Sequence, residues 1–129
     1  MWATWLIAGI ASALIVNILL YRLLVSTGVI GTNLLLKDSA LGKEYLTELN
    51  VVIATITPMI LGGILFLILL RYTSSPRWIY WTLLLLMLVL SFINPFMIPS
   101  VPIKAAIGLN ILHLSPAIFS GISMTRFVK

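Results

Sequence analysis

Four long apolar stretches constrain the fold of this chain more than any other feature. A helix needs about 20 residues to cross the roughly 30 Å hydrocarbon core of a bilayer. Backbone N–H and C=O groups in lipid have to be hydrogen-bonded within their own segment, so each stretch is predicted to be a transmembrane helix. The spans cover residues 2–24, 49–72, 78–96 and 104–124. They predict an all-α, integral membrane four-helix bundle with up-down topology.

The composition agrees with a single transmembrane domain over all 129 residues. Hydrophobic residues make up 61% of the chain and charged residues 9%, whereas a soluble domain has about 25% charged residues. The absence of cysteine excludes disulfides and cysteine-bound metals. The net charge is +5, but the basic residues are scattered, so the lipid bilayer and not nucleic acid is the expected partner.

Short segments between the spans predict how the helices are connected. The polar turn RYTSSPR at residues 71–77 makes the second and third spans antiparallel neighbours. The segment NPFMIPSVP at residues 94–102 contains three prolines and cannot continue a helix. Aromatic residues near the predicted span ends are expected to form an interfacial belt: Trp2, Trp5, Tyr21, Tyr72, Trp78, Tyr80 and Trp81.

The long connection at residues 25–48 contains all three acidic residues of the chain. The one-turn spacing of Leu41, Tyr45 and Leu49 predicts a short interfacial helix that leads into the second span. An ordered loop that only covers the bundle is the alternative.

Basic residues are divided equally between the two ends of the predicted bundle. The end with both termini has Arg71, Arg77, Arg126 and Lys129, and the opposite end has Arg22, Lys37, Lys43 and Lys104. Positive charges orient a membrane protein most strongly when they lie in short turns and tails. The sequence therefore predicts a multi-pass protein of the cell membrane with both termini in the cytoplasm.

Polar side chains within the spans gather toward the end that carries the long connection. At 1.5 Å per residue, Asn17 and Asn110 lie roughly 10 Å deep, and His113 lies about 13 Å deep. Thr55 and Thr57 of the second span fall at the same level. Polar groups are costly in lipid and are therefore informative, so these five residues are candidates for a ligand pocket. The opposite half of the bundle is predicted to be almost entirely apolar.

Two prolines lie at the level of this polar zone. Pro58 and Pro116 leave the carbonyls of Ala54 and Leu112 without their helical hydrogen-bond donors. These carbonyls are predicted either to be acceptors within a pocket or to be met by Thr and Asn side chains.

Two interpretations of the polar zone stay open. The zone orients a bound ligand, or its side chains form structural hydrogen bonds between helices. Each such bond contributes about 0.6–2 kcal/mol to stability in membranes. In the second interpretation, a bond between His113 and Asn17 would satisfy the geometry without any ligand.

The residues in the spans also restrict the chemistry of the protein. No Asp or Glu lies within a span, whereas proton- or cation-coupled transport usually relies on a buried carboxylate. Catalytic zinc needs three protein ligands, and haem b between membrane helices usually takes two histidines, of which this chain has one. No enzymatic activity, metal or cofactor is expected.

Three stretches of the later spans carry a resemblance to a known group: VVIATITPMILGGILFLILLRY (51–72), LVLSFINP (88–95) and LNILHL (109–114). They resemble an uncharacterised family of small bacterial four-helix integral membrane proteins. In that family too, a basic residue ends the second helix, a Ser and then a Pro close the third, and a His lies in the fourth. The resemblance implies the four-helix membrane fold and a recurring histidine at His113, and it implies no activity.

Two functional hypotheses follow from the sequence. The first is a non-enzymatic membrane protein that acts through helix contacts, as an accessory or scaffold subunit of a larger complex or as a homo-oligomer. The alternative is a binder or transporter of a small lipid-like or quinone-like ligand. In that case the pocket of Asn17, Thr55, Asn110 and His113 orients the polar end of the ligand.

Overall fold

Four long helices make up most of the structure. The computed structural model describes residues 1–127, apart from the side chains of Asp38 and Phe127. In chain order the elements are α1 (Trp2–Ser26), β1 (Leu35–Ser39), β2 (Gly42–Tyr45), α2 (Glu48–Tyr72), α3 (Pro76–Ser91) and α4 (Ile103–Phe127). All four helices are long and apolar enough to cross a membrane, α3 when it is counted together with the 3₁₀ turn that follows it. The predicted all-α membrane fold is confirmed.

Helices that are adjacent in the sequence run in opposite directions, and so do the first and the last helix. Gly9, near the start of α1, lies against Ser123, near the end of α4. Phe66, late in α2, packs on Tyr80, early in α3, with 4.9 Å between the ring centroids. α4 contacts each of the other three helices, most extensively α1, and it is the most buried of the four. It is therefore the central element of the bundle.

The bundle has two ends, which we name by their connections. The hairpin end carries β1, β2, the C terminus of α1 and the N termini of α2 and α4, and the turn end carries the α2–α3 turn. Each end has its own hydrophobic cluster. The cluster at the hairpin end consists of Leu24, Ile30, Leu34, Leu46, Val51, Ala105, Leu109 and Leu112. The cluster at the turn end consists of Phe66, Tyr80 and Met124.

The connection at residues 25–48 is a β-hairpin, so the prediction of an interfacial helix there is wrong. Strands β1 and β2 pair antiparallel, and Gly42 has a φ of +130°, which a helix does not allow. A glycine inside a helix would cost about 1 kcal/mol relative to alanine. Leu34 and Leu46, at the base of the hairpin, are buried against the helix ends. Leu41, whose spacing suggested the helix, is fully exposed.

The start of α2 is fixed in two ways. Thr47 and Asn50 form a capping box, in which the Thr47 hydroxyl accepts from the Asn50 N–H at 3.3 Å and the Asn50 Oδ1 accepts from the Thr47 N–H at 2.7 Å. Arg22 of α1 pairs with Glu48 at 2.9 Å. The capping box defines where α2 begins, and the exposed ion pair joins its first turn to the end of α1.

α3 ends earlier than the sequence predicted. The α-helix stops at Ser91, and the chain continues as a 3₁₀ turn at Asn94–Met97. Pro95 has no N–H to donate, so it favours this break. The 16-residue helix is about 24 Å long at 1.5 Å per residue, and the 3₁₀ turn completes the span. The break leaves carbonyls at the end of α3 available to α4.

The close contact between α1 and α4 predicts a difference between two glycines. A Cβ on Gly9 would lie 2.5 Å from the Ser123 Oγ and 2.7 Å from its Cβ, whereas a Cβ on Gly31 would meet nothing within 4 Å. Gly9→Ala forces the helices apart, and we expect it to lower the free energy of unfolding by about 1–3 kcal/mol. Gly31→Ala is the control and should leave stability unchanged. Thermal unfolding in detergent measures both, and equal stability of the two variants would contradict this packing.

Candidate functional site

Asn17 makes the central polar contact between three helices. Its Nδ2 donates to the Thr55 Oγ1 at 2.8 Å and to the Leu112 carbonyl at 3.0 Å. The Thr55 hydroxyl in turn donates to the Val51 carbonyl at 2.7 Å. The side chains of Asn17 and Thr55 are almost completely buried. A single amide therefore ties α1 to both α2 and α4.

Pro116 explains why the Leu112 carbonyl accepts a side-chain donor. Proline lacks an N–H, so the carbonyl four residues earlier loses its helical partner. Asn17 supplies that partner, as one of the two alternatives from the sequence predicted. Pro58 frees the Ala54 carbonyl in the same way, and within residues 1–127 no side chain donates to it.

His113 is not part of this hydrogen-bonded network. Its Nδ1 is buried and has no hydrogen-bond partner among the described residues. The Leu109 carbonyl, one turn earlier in α4, is the protein group that lies near the ring. The side chain as a whole is half-buried. Within residues 1–127, no other helix therefore forms a hydrogen bond with this imidazole.

Two small cavities meet at His113. The α1-side cavity has a volume of about 180 Å³ and lies between α1, α2, α4 and the hairpin. The α3-side cavity has a volume of about 150 Å³ and lies between α2, α3 and α4. Ala54, His113 and Pro116 line both. The imidazole is therefore the polar group shared by two otherwise mostly apolar spaces.

The structure brings together three of the five residues predicted to form a pocket. Asn17, Thr55 and His113 line the α1-side cavity. Asn110 lines neither cavity, because its Nδ2 donates to a backbone carbonyl at the end of α3 at 3.2 Å. Thr57 is exposed on α2, since two residues along a helix turn the side chain to the opposite face.

The turn half of the bundle contains a buried polar pair that the sequence analysis missed. Tyr80 was assigned to the interfacial belt, but it is fully buried, and its hydroxyl lies 2.6 Å from the Ser120 Oγ. Gly62 makes room for this pair, because a Cβ there would lie 2.9 Å from the hydroxyl. The prediction of an almost entirely apolar half is therefore wrong. The sequence feature that indicates a buried Tyr80 is the pair of small residues that face it, Gly62 in α2 and Ser120 in α4.

The site can bind a neutral polar group but shows no set of metal ligands. Among the described residues, no three His, Cys, Asp or Glu side chains lie close enough to hold a metal ion. Two residues that line the α1-side cavity each have a buried polar atom without a partner in that part of the chain: the Asn17 Oδ1 and the His113 Nδ1. A neutral imidazole has one donor and one acceptor. The arrangement can therefore form one or two hydrogen bonds with a small molecule.

A known protein family matches almost the whole chain. The model of a family of unknown function (DUF6069) matches residues 1–128. The chain belongs to this family. No curated protein and no solved structure matches the chain at a significant level. The predicted resemblance to an uncharacterised family agrees with this membership.

The link between Asn17 and Pro116 gives a testable prediction. Asn17→Ala removes both inter-helix bonds and leaves the Leu112 carbonyl without a donor, so we expect a loss of about 1–2 kcal/mol in the free energy of unfolding. Pro116→Ala restores the backbone N–H that serves the same carbonyl. In the Pro116→Ala background, Asn17→Ala should therefore cost less, by about 0.5–1 kcal/mol.

Unfolding titrations of the four proteins in mixed micelles measure this double-mutant cycle. Thr57→Ala is the control for removing an exposed hydroxyl at the same level, and it should have little effect. Strict additivity of the two substitutions would show that Asn17 does not compensate for Pro116.

Proposed function

We propose that this small multi-pass membrane protein binds a mostly apolar molecule through one hydrogen-bonding group, which is held at His113. The observation that carries the proposal is the contrast between two polar residues. Asn17 donates to α2 and to α4, and only its Oδ1 is unpaired among the described residues. His113 forms no hydrogen bond with another helix in that part of the chain, and its ring borders two cavities.

The cost of burying a polar group argues against a purely structural role of His113 between helices. A buried donor or acceptor without a partner costs about 1–3 kcal/mol, and the tie between the helices is already made by Asn17. A leucine at position 113 would pack among Leu109, Leu112 and their neighbours without this cost. A polar group from a bound molecule supplies the missing partner and gives the imidazole a role.

The size and lining of the cavities indicate the class of ligand. Each cavity, at about 150 or 180 Å³, is smaller than the roughly 300–1,000 Å³ of sites for drug-sized molecules. Only a small polar head fits beside His113, and the rest of the molecule lies along the apolar helix surface. Ala54 lines both cavities and is exposed on α2, so the cavities open at the surface of the bundle. A lipid-like or quinone-like molecule matches these properties.

Action through helix contacts, as a non-catalytic accessory or scaffold subunit or as a homo-oligomer, is the second candidate function. The supporting observation is the outer face of α3, which exposes large apolar side chains: Leu85, Leu86, Val89 and Leu90. Lipid tails cover such a face equally well. The two candidates therefore differ in what remains attached to the purified protein, a small molecule or a second polypeptide.

We further propose that the turn end faces the cytoplasm of a cell-membrane protein, with both termini on that side. Arg71 and Arg77 flank a turn of only three residues between α2 and α3, where positive charge orients a protein most strongly. At the hairpin end, Arg22 is paired with Glu48.

The proposed ligand role predicts separate effects of His113 on binding and on stability. His113→Leu removes both imidazole nitrogens, so the amount of small molecule that co-purifies from the native membrane should fall about tenfold, which corresponds to 1.4 kcal/mol. Stability should stay the same or rise, because an unpaired polar group has been removed. Native mass spectrometry and solvent extraction measure the ligand, and thermal unfolding measures stability.

Thr57→Ala is the matched control, because it removes a polar group at the same depth outside the cavities. The ligand role would be overturned if the wild-type protein carried no small molecule and His113→Leu lost much of its stability, because His113 would then only link helices. If a second protein co-purified in stoichiometric amount and no small molecule did, the accessory-subunit hypothesis would be favoured.

Single cysteines test the proposed orientation, because the chain has none of its own. Ala40→Cys places a thiol in the turn of the hairpin, and Ser74→Cys places one between α2 and α3. A membrane-impermeant maleimide should label Ala40→Cys in intact cells and Ser74→Cys only after permeabilisation. The reverse pattern would place the termini outside.

A further inference from the structure

A second recess, at the turn end and far from His113, combines positive charge with tryptophan. It lies between the start of α3 and the end of α4 and has a volume of about 730 Å³. Its lining consists of Arg77, Trp78, Trp81, Thr125 and Arg126. We call it the arginine–tryptophan recess, and we propose that it binds the headgroup of an anionic phospholipid.

Within residues 1–127, no carboxylate side chain pairs with the two arginines of the recess. All three acidic residues of the chain lie at the hairpin end, in or beside the hairpin. Arg77 and Arg126 both line the recess, and the one ion pair among the described residues is the distant Arg22–Glu48 contact. Two guanidinium groups beside one recess, with no acidic side chain paired to them in the described part of the chain, can bind a phosphate group.

The inner wall of the recess is formed by close packing between α3 and α4. The Trp81 ring lies directly against Gly121, where a Cβ would overlap the ring. This contact fixes the ring on α4 and sets the depth of the recess. Trp81 follows Arg77 by one helical turn on the same face of α3, so the guanidinium lies nearer the helix end and the indole lies deeper.

This order of groups matches the order of groups in a phospholipid. The phosphate lies at the level of the helix ends, the ester carbonyls lie below it, and the acyl chains lie deeper. The indole N–H groups of Trp78 and Trp81 donate to no acceptor among the described hydrogen bonds, and indoles prefer the carbonyl level of the interface. The arginines can therefore hold the phosphate while the indoles meet the ester region.

The N terminus of α3 adds to the positive field of the recess. Ser75 precedes the helix and makes no side-chain cap hydrogen bond, so the first-turn N–H groups at Arg77 and Trp78 point toward the headgroup level without a cap. Their contribution is small beside that of the two arginine side chains.

Lipid-binding measurements on the full-length protein test this inference. The purified chain is delipidated in a mild detergent and titrated with phosphatidylglycerol or with phosphatidylcholine of the same acyl chains, and the first bound lipid is counted by native mass spectrometry. We expect tighter binding of phosphatidylglycerol. Arg77→Gln and Arg126→Gln should each weaken that binding about fivefold, since an arginine near anionic lipid contributes a factor of this size.

Arg71→Gln is the matched control. Arg71 lies at the same end and carries the same charge, but it packs over the Tyr72 ring at 5.9 Å and does not line the recess. It should leave phosphatidylglycerol binding within about twofold of wild type. An equal loss in Arg71→Gln would show that only overall charge matters and would overturn the proposal.

Two further outcomes would also overturn it. Equal binding of phosphatidylcholine and phosphatidylglycerol would show that the recess does not select charge. Displacement of the lipid by millimolar inorganic phosphate, with phosphate itself bound in the delipidated protein, would identify a site for a free anion. All three arginines are exposed, so the substitutions are expected to leave folding intact, and thermal unfolding of each variant checks this.

Discussion

The two hydrogen bonds donated by Asn17 are the interaction on which the polar region of this bundle depends. Lipid offers no hydrogen-bonding groups, so a carbonyl freed by a proline within a span needs a donor from another helix. Asn17 supplies that donor to Leu112 and uses its second N–H for Thr55. In this way one side chain joins the three helices that surround the α1-side cavity.

The hydrogen bonds made by Asn17 affect which role is assigned to the His113 side chain. If the histidine were bonded to Asn17, the polar residues of the midsection would form a closed structural network. The amide N–H groups of Asn17 are used elsewhere, its Oδ1 and the His113 Nδ1 are both unpaired among the described residues, and the imidazole borders two cavities. The bundle therefore separates two roles. Asn17 holds the helices together, and His113 offers hydrogen-bonding capacity in a largely apolar setting.

The two ends of the bundle are built differently around this midsection. At the hairpin end, Leu34 and Leu46 close the bundle with a folded connection, and Thr47 and Asn50 cap α2. At the turn end, the buried Tyr80–Ser120 pair lies in the interior and arginine and tryptophan side chains line a recess at the surface. A membrane protein of this size thus presents a neutral polar site within the spans and a cationic site at the interface.

The membrane spans were predictable because length and apolarity alone decide whether a helix can cross a bilayer. The hairpin was not, because Leu41 and Tyr45 have helical spacing, and this spacing does not show the burial of Leu34 and Leu46 or the positive φ of Gly42. The level of the polar zone followed from counting residues, so Asn17, Thr55 and His113 were found together.

The direction in which each polar side chain points was harder to predict. Asn110 turns to α3 because that helix ends early and leaves a carbonyl free. Thr57 lies two residues from Thr55 and is exposed, because two residues along a helix turn a side chain to the opposite face. The burial of Tyr80 depends on Gly62 and Ser120 in other helices, and no single segment of sequence contains that information.

The nitrogen resonances of His113 offer the most direct test of the central claim, because it is the only histidine in the chain. The protein, labelled with ¹⁵N-histidine and reconstituted in lipid nanodiscs, would be titrated with a short-chain benzoquinone and with a fatty alcohol of similar length. If the imidazole is open to a ligand, its nitrogen signals shift with at least one of these probes and reach saturation. Signals that stay fixed with both probes, at positions typical of a strong internal hydrogen bond, would show that His113 only holds helices together.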